Sequence, residues 1–117
     1  MPTTLIAKQL ITESFETGTL DFPTHVAFGT SSTAFTESDT ALGNEIQRNA
    51  ILTTDRQSQT IEWNATLTTA QANGSTLYEV GLFNDDTSGD MYIRQVIYPV
   101  SKTSSFEYDT ILIMRVK

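Results

Sequence analysis

The abundance of β-branched side chains constrains this chain more than any other feature of its sequence. Thr occurs 20 times, Ile nine times and Val five times, so 34 of the 117 residues are branched at Cβ. Such side chains are stiff at χ1 and pack well on a pleated sheet. Only three Lys are present, and no long run of Ala, Leu, Glu and Lys offers a helix. The sequence therefore predicts an all-β domain.

Alternation of apolar and polar residues places most of the strands. It is regular over residues 61–68, and residues 77–84 and three further segments are also predicted as strands. Asn73-Gly74 supplies a turn, because these residues adopt positive φ at low cost. Seven or so strands spaced by turns are typical of a single-domain antiparallel β-sandwich. The further strand segments are residues 25–29, 91–98 and 106–116, and the loop at 85–89 predicts a hairpin.

Two segments carry weaker signals. Residues 5–12 have a mixed apolar pattern that favours a strand over a helix. Ser38 or Asp39 can cap a first helical turn and Gly43 can end it, so the sequence predicts at most one short helix, near residues 38–43. Pro99 predicts that its strand lies at a sheet edge or contains a bulge.

The length fits one domain, with residues 23–117 as the sandwich and 1–22 as an N-terminal strand or arm. The arm either joins its own sandwich or adds a strand to a neighbouring subunit. Strands 77–84 and 106–116 carry apolar residues on both faces, the latter around residues 111–113. One face can fill the core, and the other then needs a further layer or another subunit.

Charge and composition exclude several classes of function. The net charge is −7 and the sequence pI is near 4.4, which disfavours nucleic acid and anionic membranes as partners. Because there is no Cys, disulfides, thiolate catalysis and Cys-containing zinc sites are excluded. No apolar run is long enough to span a membrane, and no signal peptide is visible.

Few residues are candidates for catalysis or metal binding. His25 is the only His and no Gly-x-Ser-x-Gly elbow accompanies it, so we interpret it as a half-exposed strand residue. Residues 84–90 match part of a calcium loop, but Gln95 stands where a bidentate Glu is required, which favours a solvated hairpin tip. Glu79 lies among apolar residues and is expected to accept structural hydrogen bonds or to pair with Arg94 or Arg48. The sequence predicts no catalytic residue, metal ligand or cofactor.

Three stretches, in this order and spacing, resemble small structural proteins of tailed bacteriophages and related archaeal viruses. They are residues 25–30 with 36–46 and Arg48 (HVAFGT and TESDTALGNEI), residues 72–84 (including YEVGLFN), and residues 89–103 (including GDMYIR and PVSKT). The resemblance covers residues 23–117. Ser31 and Phe35 depart from the pattern, which usually has Gly and Pro at these positions.

The resemblance implies a non-enzymatic virion component: a tail fibre, or the adaptor that docks a fibre on the baseplate. It implies a symmetric homo-oligomer, a trimer in such a setting, with other virion proteins as partners and synthesis in the host cytoplasm. Structural or assembly roles fall on Glu79, Gly81, Arg94, Arg48 and Lys102. Gly81 indicates a close backbone approach or a bulge, Glu79 and Arg94 a cross-strand pair, and Lys102 the corner into the last strand.

Two alternatives remain open from the sequence. Capsid decoration or turret proteins are also small, β-rich, acidic and oligomeric. A carbohydrate-binding module that attaches the particle to a host-surface glycan would use exposed aromatic residues. The candidates for such a platform are Trp63, Tyr78, Tyr92, Tyr98 and Tyr108, although aromatic residues at alternating strand positions more often belong to a core.

Overall fold

The computed structural model describes residues 3–19 and 21–115, which form one helix and seven strands. The strands make two antiparallel sheets, so the predicted all-β sandwich is confirmed. Sheet A has the strand order β2-β1-β5-β6, and sheet B has the order β3-β4-β7. In chain order the elements are α1 (Leu5–Thr17), β1 (His25–Gly29), β2 (Glu45–Ala50), β3 (Thr53–Gln57), β4 (Thr60–Leu67), β5 (Thr76–Phe83), β6 (Met91–Ser101) and β7 (Tyr108–Arg115).

The core lies between the two sheets and follows the alternation of the sequence. In sheet A, Val26 pairs with Leu82 and Phe28 with Val80, and all four side chains are buried on the inner face. Sheet B faces them with residues that alternate along β4 and β7. Its buried apolar members are Trp63, Ala65, Leu67 and Leu112. The inner faces thus form one hydrophobic core.

The prediction of a strand over residues 5–12 is wrong, because these residues begin α1. The Thr4 side chain caps the helix by accepting the Ala7 N–H, and Gly18 ends it in a left-handed conformation at φ 72°. Thr4 N–H also donates to the Tyr92 carbonyl of β6 at 2.9 Å, and Ala7 is buried. These contacts with its own sheet stabilise a helix that the weak local pattern does not specify. The role of residues 1–22 toward a neighbouring subunit stays a prediction.

The prediction of a short helix at residues 38–43 is also wrong. Residues 30–44, which we call the strap, run across the outer face of sheet A without helical structure. The backbone N–H of Gly43 donates to the Glu79 carboxylate instead of to a carbonyl one turn earlier. A tertiary acceptor has therefore replaced the local hydrogen bonds that a helix needs.

Strands β2 and β3 have polar sequences without apolar alternation, and we did not predict them. Each is held by pairing with a clearer strand, β2 with β1 and β3 with β4. Pro99 lies within β6, which is an edge strand of sheet A, as predicted. No helix in the described part of the chain has the length and hydropathy of a membrane span.

Candidate functional site

A row of four residues crosses the outer face of sheet A. Arg48, Ala27, Gly81 and Arg94 are successive cross-strand partners on β2, β1, β5 and β6. Because the two middle residues are small, the centre of the row is a trough, and Leu42 of the strap fills it. A Cβ atom added to Gly81 would lie 2.8 Å from Leu42 Cδ2. The close approach predicted at Gly81 is therefore the packing of the strap on the sheet.

Glu79 lies beside this row and anchors the strap. Its side chain is fully buried, and each carboxylate oxygen accepts two hydrogen bonds. Oε1 accepts from the Gly43 N–H at 2.8 Å and from Arg94 Nε at 2.9 Å. Oε2 accepts from the N–H groups of Ser31 at 3.0 Å and Asn44 at 2.8 Å. The predicted pair between Glu79 and Arg94 is thus present, and it is completed by three backbone donors of the strap.

Two glycines allow the strap backbone to reach the carboxylate. A Cβ atom on Gly29 would lie 2.5 Å from Glu79 Oε2, and one on Gly43 would lie 2.4 Å from Ser31 Cβ. Neither distance is compatible with a side chain. Both glycines are visible in the sequence, within residues 25–30 and 36–46, but their common contact with Glu79 is decided by the fold.

Arg94 extends the contact to the other end of the strap. Its Nη2 donates to the Thr33 carbonyl at 2.8 Å, and its Nη1 lies 3.4 Å from Asp39 Oδ2. Asp39 also accepts from the Thr36 N–H at 3.1 Å and from the Thr36 hydroxyl at 2.9 Å. The sequence suggested Asp39 as a helix cap, whereas the structure uses it to close a turn and to face Arg94. We therefore missed Asp39 as a member of the site.

Both carboxyl groups of the site are held in the ionised form. Burial by itself raises the pKa of Glu79, but hydrogen bonds from the Asn44, Gly43 and Ser31 N–H groups and from Arg94 outweigh it, so the pKa lies below its ordinary value. Burial likewise raises the pKa of Asp39, and its bonds from Thr36 and the charge of Arg94 reverse the shift. The arrangement therefore stabilises the charged form of both carboxyl groups.

Arg48 holds a different loop at the far end of the row. Its guanidinium lies 3.8 Å from the centroid of the Phe83 ring and makes two hydrogen bonds to Glu45, at 2.8 and 2.6 Å. Nη1 also donates to the carbonyls of Asp85 at 3.0 Å and Ser88 at 2.8 Å. Arg48 thus joins β2 to the β5–β6 hairpin loop rather than to Glu79.

Lys102 lies away from the row, at the corner between β6 and β7. It is buried, and its Nζ donates to Asn73 Oδ1 at 3.0 Å and to the Thr103 carbonyl at 2.9 Å. Its backbone N–H donates to the Ser75 carbonyl at 2.9 Å. Lys102 therefore ties the corner to the β4–β5 turn, which agrees with the predicted corner but separates it from the other four candidate residues.

The remaining sequence candidates do not meet in a second polar site. His25 Nδ1 contacts the Thr24 hydroxyl at 2.8 Å at the start of β1. In the 84–90 loop, Asn84 Oδ1 accepts the Asp90 N–H at 2.8 Å. Within residues 3–19 and 21–115, no three His, Asp or Glu side chains are grouped so that they could hold a metal ion.

The five aromatic residues weighed as a sugar platform do not share an exposed face. Trp63 is buried in sheet B and Tyr92 is buried in sheet A, where its hydroxyl donates to the Asp21 carbonyl at 2.6 Å. Tyr78 and Tyr108 are half-buried. Tyr98 on β6 is 91% exposed.

An apolar cavity of about 210 Å³ lies beneath α1. Its lining includes Ala7, Leu10 and Phe22 together with Trp63 and Met114.

No protein-family model matches the chain, and no curated protein is significantly similar to it.

Proposed function

We propose that this chain is a non-enzymatic structural protein of a virus particle, a tail-fibre or baseplate component that assembles as a symmetric homo-oligomer. The observation that carries the proposal is that the three stretches of the resemblance meet in one contact. The first stretch supplies Gly43 and Asn44, the second Glu79 and the third Arg94. Sequence stretches that are shared because of a common fold should contact one another in the folded chain, although they lie far apart in the sequence.

The chemistry of this contact supports a structural role. All four hydrogen bonds to the Glu79 carboxylate come from groups of the same chain, and the carboxylate is fully buried. A general acid at neutral pH needs a raised pKa, whereas the pKa of Glu79 is lowered. The carboxylate therefore serves to hold the strap in place.

Exposed apolar residues support the assembly part of the proposal. Ile111 and Ile113 project from the outer face of sheet B, and Tyr98 projects from β6. β6 and β7 are also edge strands. Exposed apolar side chains beside an open edge are features of surfaces that bind another protein.

Immunogold labelling of purified virus particles with an antibody to this chain tests the proposal. We expect gold at the tail tip or along fibres. Gold distributed over the head would replace the tail assignment with capsid decoration. The absence of gold from both intact and detergent-opened particles would overturn the virion role.

A glycan array of the purified chain separates the attachment alternative from the structural proposal. We expect no specific binding. Binding that is abolished by Tyr98→Ser would assign a carbohydrate-binding role instead, because Tyr98 is the most exposed of the five candidate aromatic residues.

A further inference from the structure

We propose that β7 pairs antiparallel with β7 of a second copy of this chain, around a two-fold axis beside Leu112. The inference rests on the homo-oligomer of the proposed function and names the contact that forms it. It joins two copies of sheet B into one continuous six-stranded sheet, since each copy contributes β3, β4 and β7.

The outer edge of β7 is open. Tyr108–Arg115 pairs with β4 along its whole length on one side, and no backbone hydrogen bond between described residues uses the other side. The edge of β6 differs, because Thr3 forms a bridge to Ile93 at its start and Pro99 removes a donor farther along. Unlike β6, β7 offers an uninterrupted row of backbone donors and acceptors.

The sequence of β7 is complementary to itself in the antiparallel direction. When Leu112 faces its own copy across a two-fold axis, Ile111 lies opposite Ile113 of the second copy and Asp109 lies opposite Arg115 of the second copy. Two apolar pairs and two opposite-charge pairs result, related by the axis. A two-fold contact requires this self-complementarity, because the same patch serves both copies.

These four residues also share one face of the sheet. Asp109, Ile111, Ile113 and Arg115 alternate with the inward residues of β7, and the exposed fractions of Ile111 and Ile113 are 56% and 45%. Pairing places the isoleucines of the two copies side by side and removes part of their surface from water.

The charged pair is compatible with the contacts already present in one chain. Asp109 accepts a hydrogen bond from the Thr66 hydroxyl through Oδ1, and Arg115 Nε lies 3.4 Å from Thr60 Oγ1. A carboxylate has two oxygens and a guanidinium has five N–H donors, so each group can bind across the axis in addition to the partners that it already has within the chain.

The contact changes the expected symmetry. A two-fold contact joins copies in pairs, whereas the resemblance implies a trimer. We therefore expect a dimer of twice the 13.0 kDa chain mass, or a hexamer where a separate three-fold contact is also formed.

Charge reversal measured by sedimentation equilibrium tests the pairing. Asp109→Arg and Arg115→Asp, made singly, place like charges opposite each other, and each should weaken dimerisation by about tenfold or more. The double variant Asp109→Arg/Arg115→Asp should restore it. Within one chain the two residues are six positions apart on a strand, about 20 Å, so rescue has to arise between chains.

Disulfide trapping tests the register, because the chain has no Cys of its own. A mixture of Ile111→Cys and Ile113→Cys chains should oxidise to a cross-linked heterodimer. The control pair is Val96→Cys with Ile113→Cys, since Val96 is exposed on the edge strand of the other sheet and should not cross-link.

The outcomes separate this inference from the proposed function. An oligomer that both single charge reversals leave intact would overturn the β7 contact and leave the homo-oligomer standing. Wild-type chain that stays monomeric at every concentration would overturn both the contact and the homo-oligomer. Particle labelling would still decide the virion role independently.

Discussion

The two outer faces of the sandwich are completed in different ways. On sheet A, the strap covers the small residues Ala27 and Gly81 and supplies backbone donors to the buried Glu79. On sheet B, no segment of the described chain buries Ile111 and Ile113, which remain about half exposed. Strands β5 and β7 thus share one sequence signal, apolar residues on both faces. The chain's own strap covers the outer face of β5, whereas the outer face of β7 stays exposed.

A segment of the same chain can cover a sheet face only where its buried backbone groups find hydrogen-bond partners. A strap without regular structure has unpaired N–H groups, and these need acceptors when they are buried. Sheet A supplies one acceptor, the Glu79 carboxylate, and glycines at positions 29 and 43 allow the approach. The outer residues of β4 in sheet B, such as Asn64 and Thr66, are half-buried and polar. The apolar strip there is confined to the edge strand, where a second chain can reach it.

The largest expected effect is the loss of the strap's acceptor. Glu79→Gln should lower the free energy of unfolding by about 3–5 kcal/mol, because Arg94 loses its buried ion pair and an amide nitrogen faces backbone donors. Urea unfolding followed by circular dichroism measures the change.

The matched control is Glu62→Gln on the outer face of sheet B. Glu62 lies directly opposite Asp55, so removing its charge relieves a like-charge contact and should change stability by less than about 0.5 kcal/mol. Equal losses for the two variants would contradict the contrast between the faces.

A smaller loss is expected from a single added methyl group in the strap. Gly43→Ala should cost about 1–3 kcal/mol, because its Cβ would lie 2.4 Å from Ser31 Cβ. Ser31→Gly removes that neighbour and keeps the N–H that binds Glu79, so the double variant should recover part of the loss. A double-mutant cycle on the unfolding free energies measures the coupling, and additive losses would argue against this contact.

Acidification should selectively weaken the contacts that hold the strap on sheet A. The folded-state pKa values of Glu79 and Asp39 lie below their ordinary values of 4.5 and 3.8, so the unfolded chain binds more protons as the pH falls. Their stabilisation is therefore fully present above the ordinary values and is lost as the pH falls through the lower folded-state values.

Asp39→Asn isolates one part of this dependence. The variant should lose about 1 kcal/mol at neutral pH, because a charged partner of Arg94 and Thr36 is removed. It should also show a flatter fall in urea midpoint between neutral and acidic pH than wild type. A wild-type midpoint that rises on acidification through this range would contradict the assignment.

The smallest effect is expected on the exposed face of sheet B. In the monomer at high dilution, Ile111→Thr should change the unfolding free energy by about 0.5 kcal/mol or less, because the side chain is more than half exposed. Leu112→Ala, the next residue on the buried side, should cost about 2–5 kcal/mol. A large loss for Ile111→Thr under dilute conditions would show that the chain itself covers this face.

Several parts of the fold and of the site followed from residues close together in the sequence. Alternation from Trp63 to Leu67 predicted β4, and a lone acid among apolar residues identified Glu79 as a structural acceptor with Arg94 or Arg48 as its partner. The polar strands β2 and β3 could not be predicted in this way, because pairing with distant strands decides them. The role of Asp39 could not be predicted either, because its partner Arg94 lies 55 positions away in the sequence.

The sequence by itself determined the sandwich class, because β-branched residues and period-two alternation favour pleated sheets wherever they occur. It also determined the turn at Gly74, where φ is +84°, through a residue that tolerates that conformation. Only the tertiary structure decided that residues 5–17 form a helix and that residues 30–44 do not. Thr4 anchors the helix on β6 through a backbone hydrogen bond. The Glu79 carboxylate accepts hydrogen bonds from strap N–H groups that a helix would bond to its own carbonyls. In both cases a partner distant in sequence supplied the hydrogen bonds that outweighed a weak local preference.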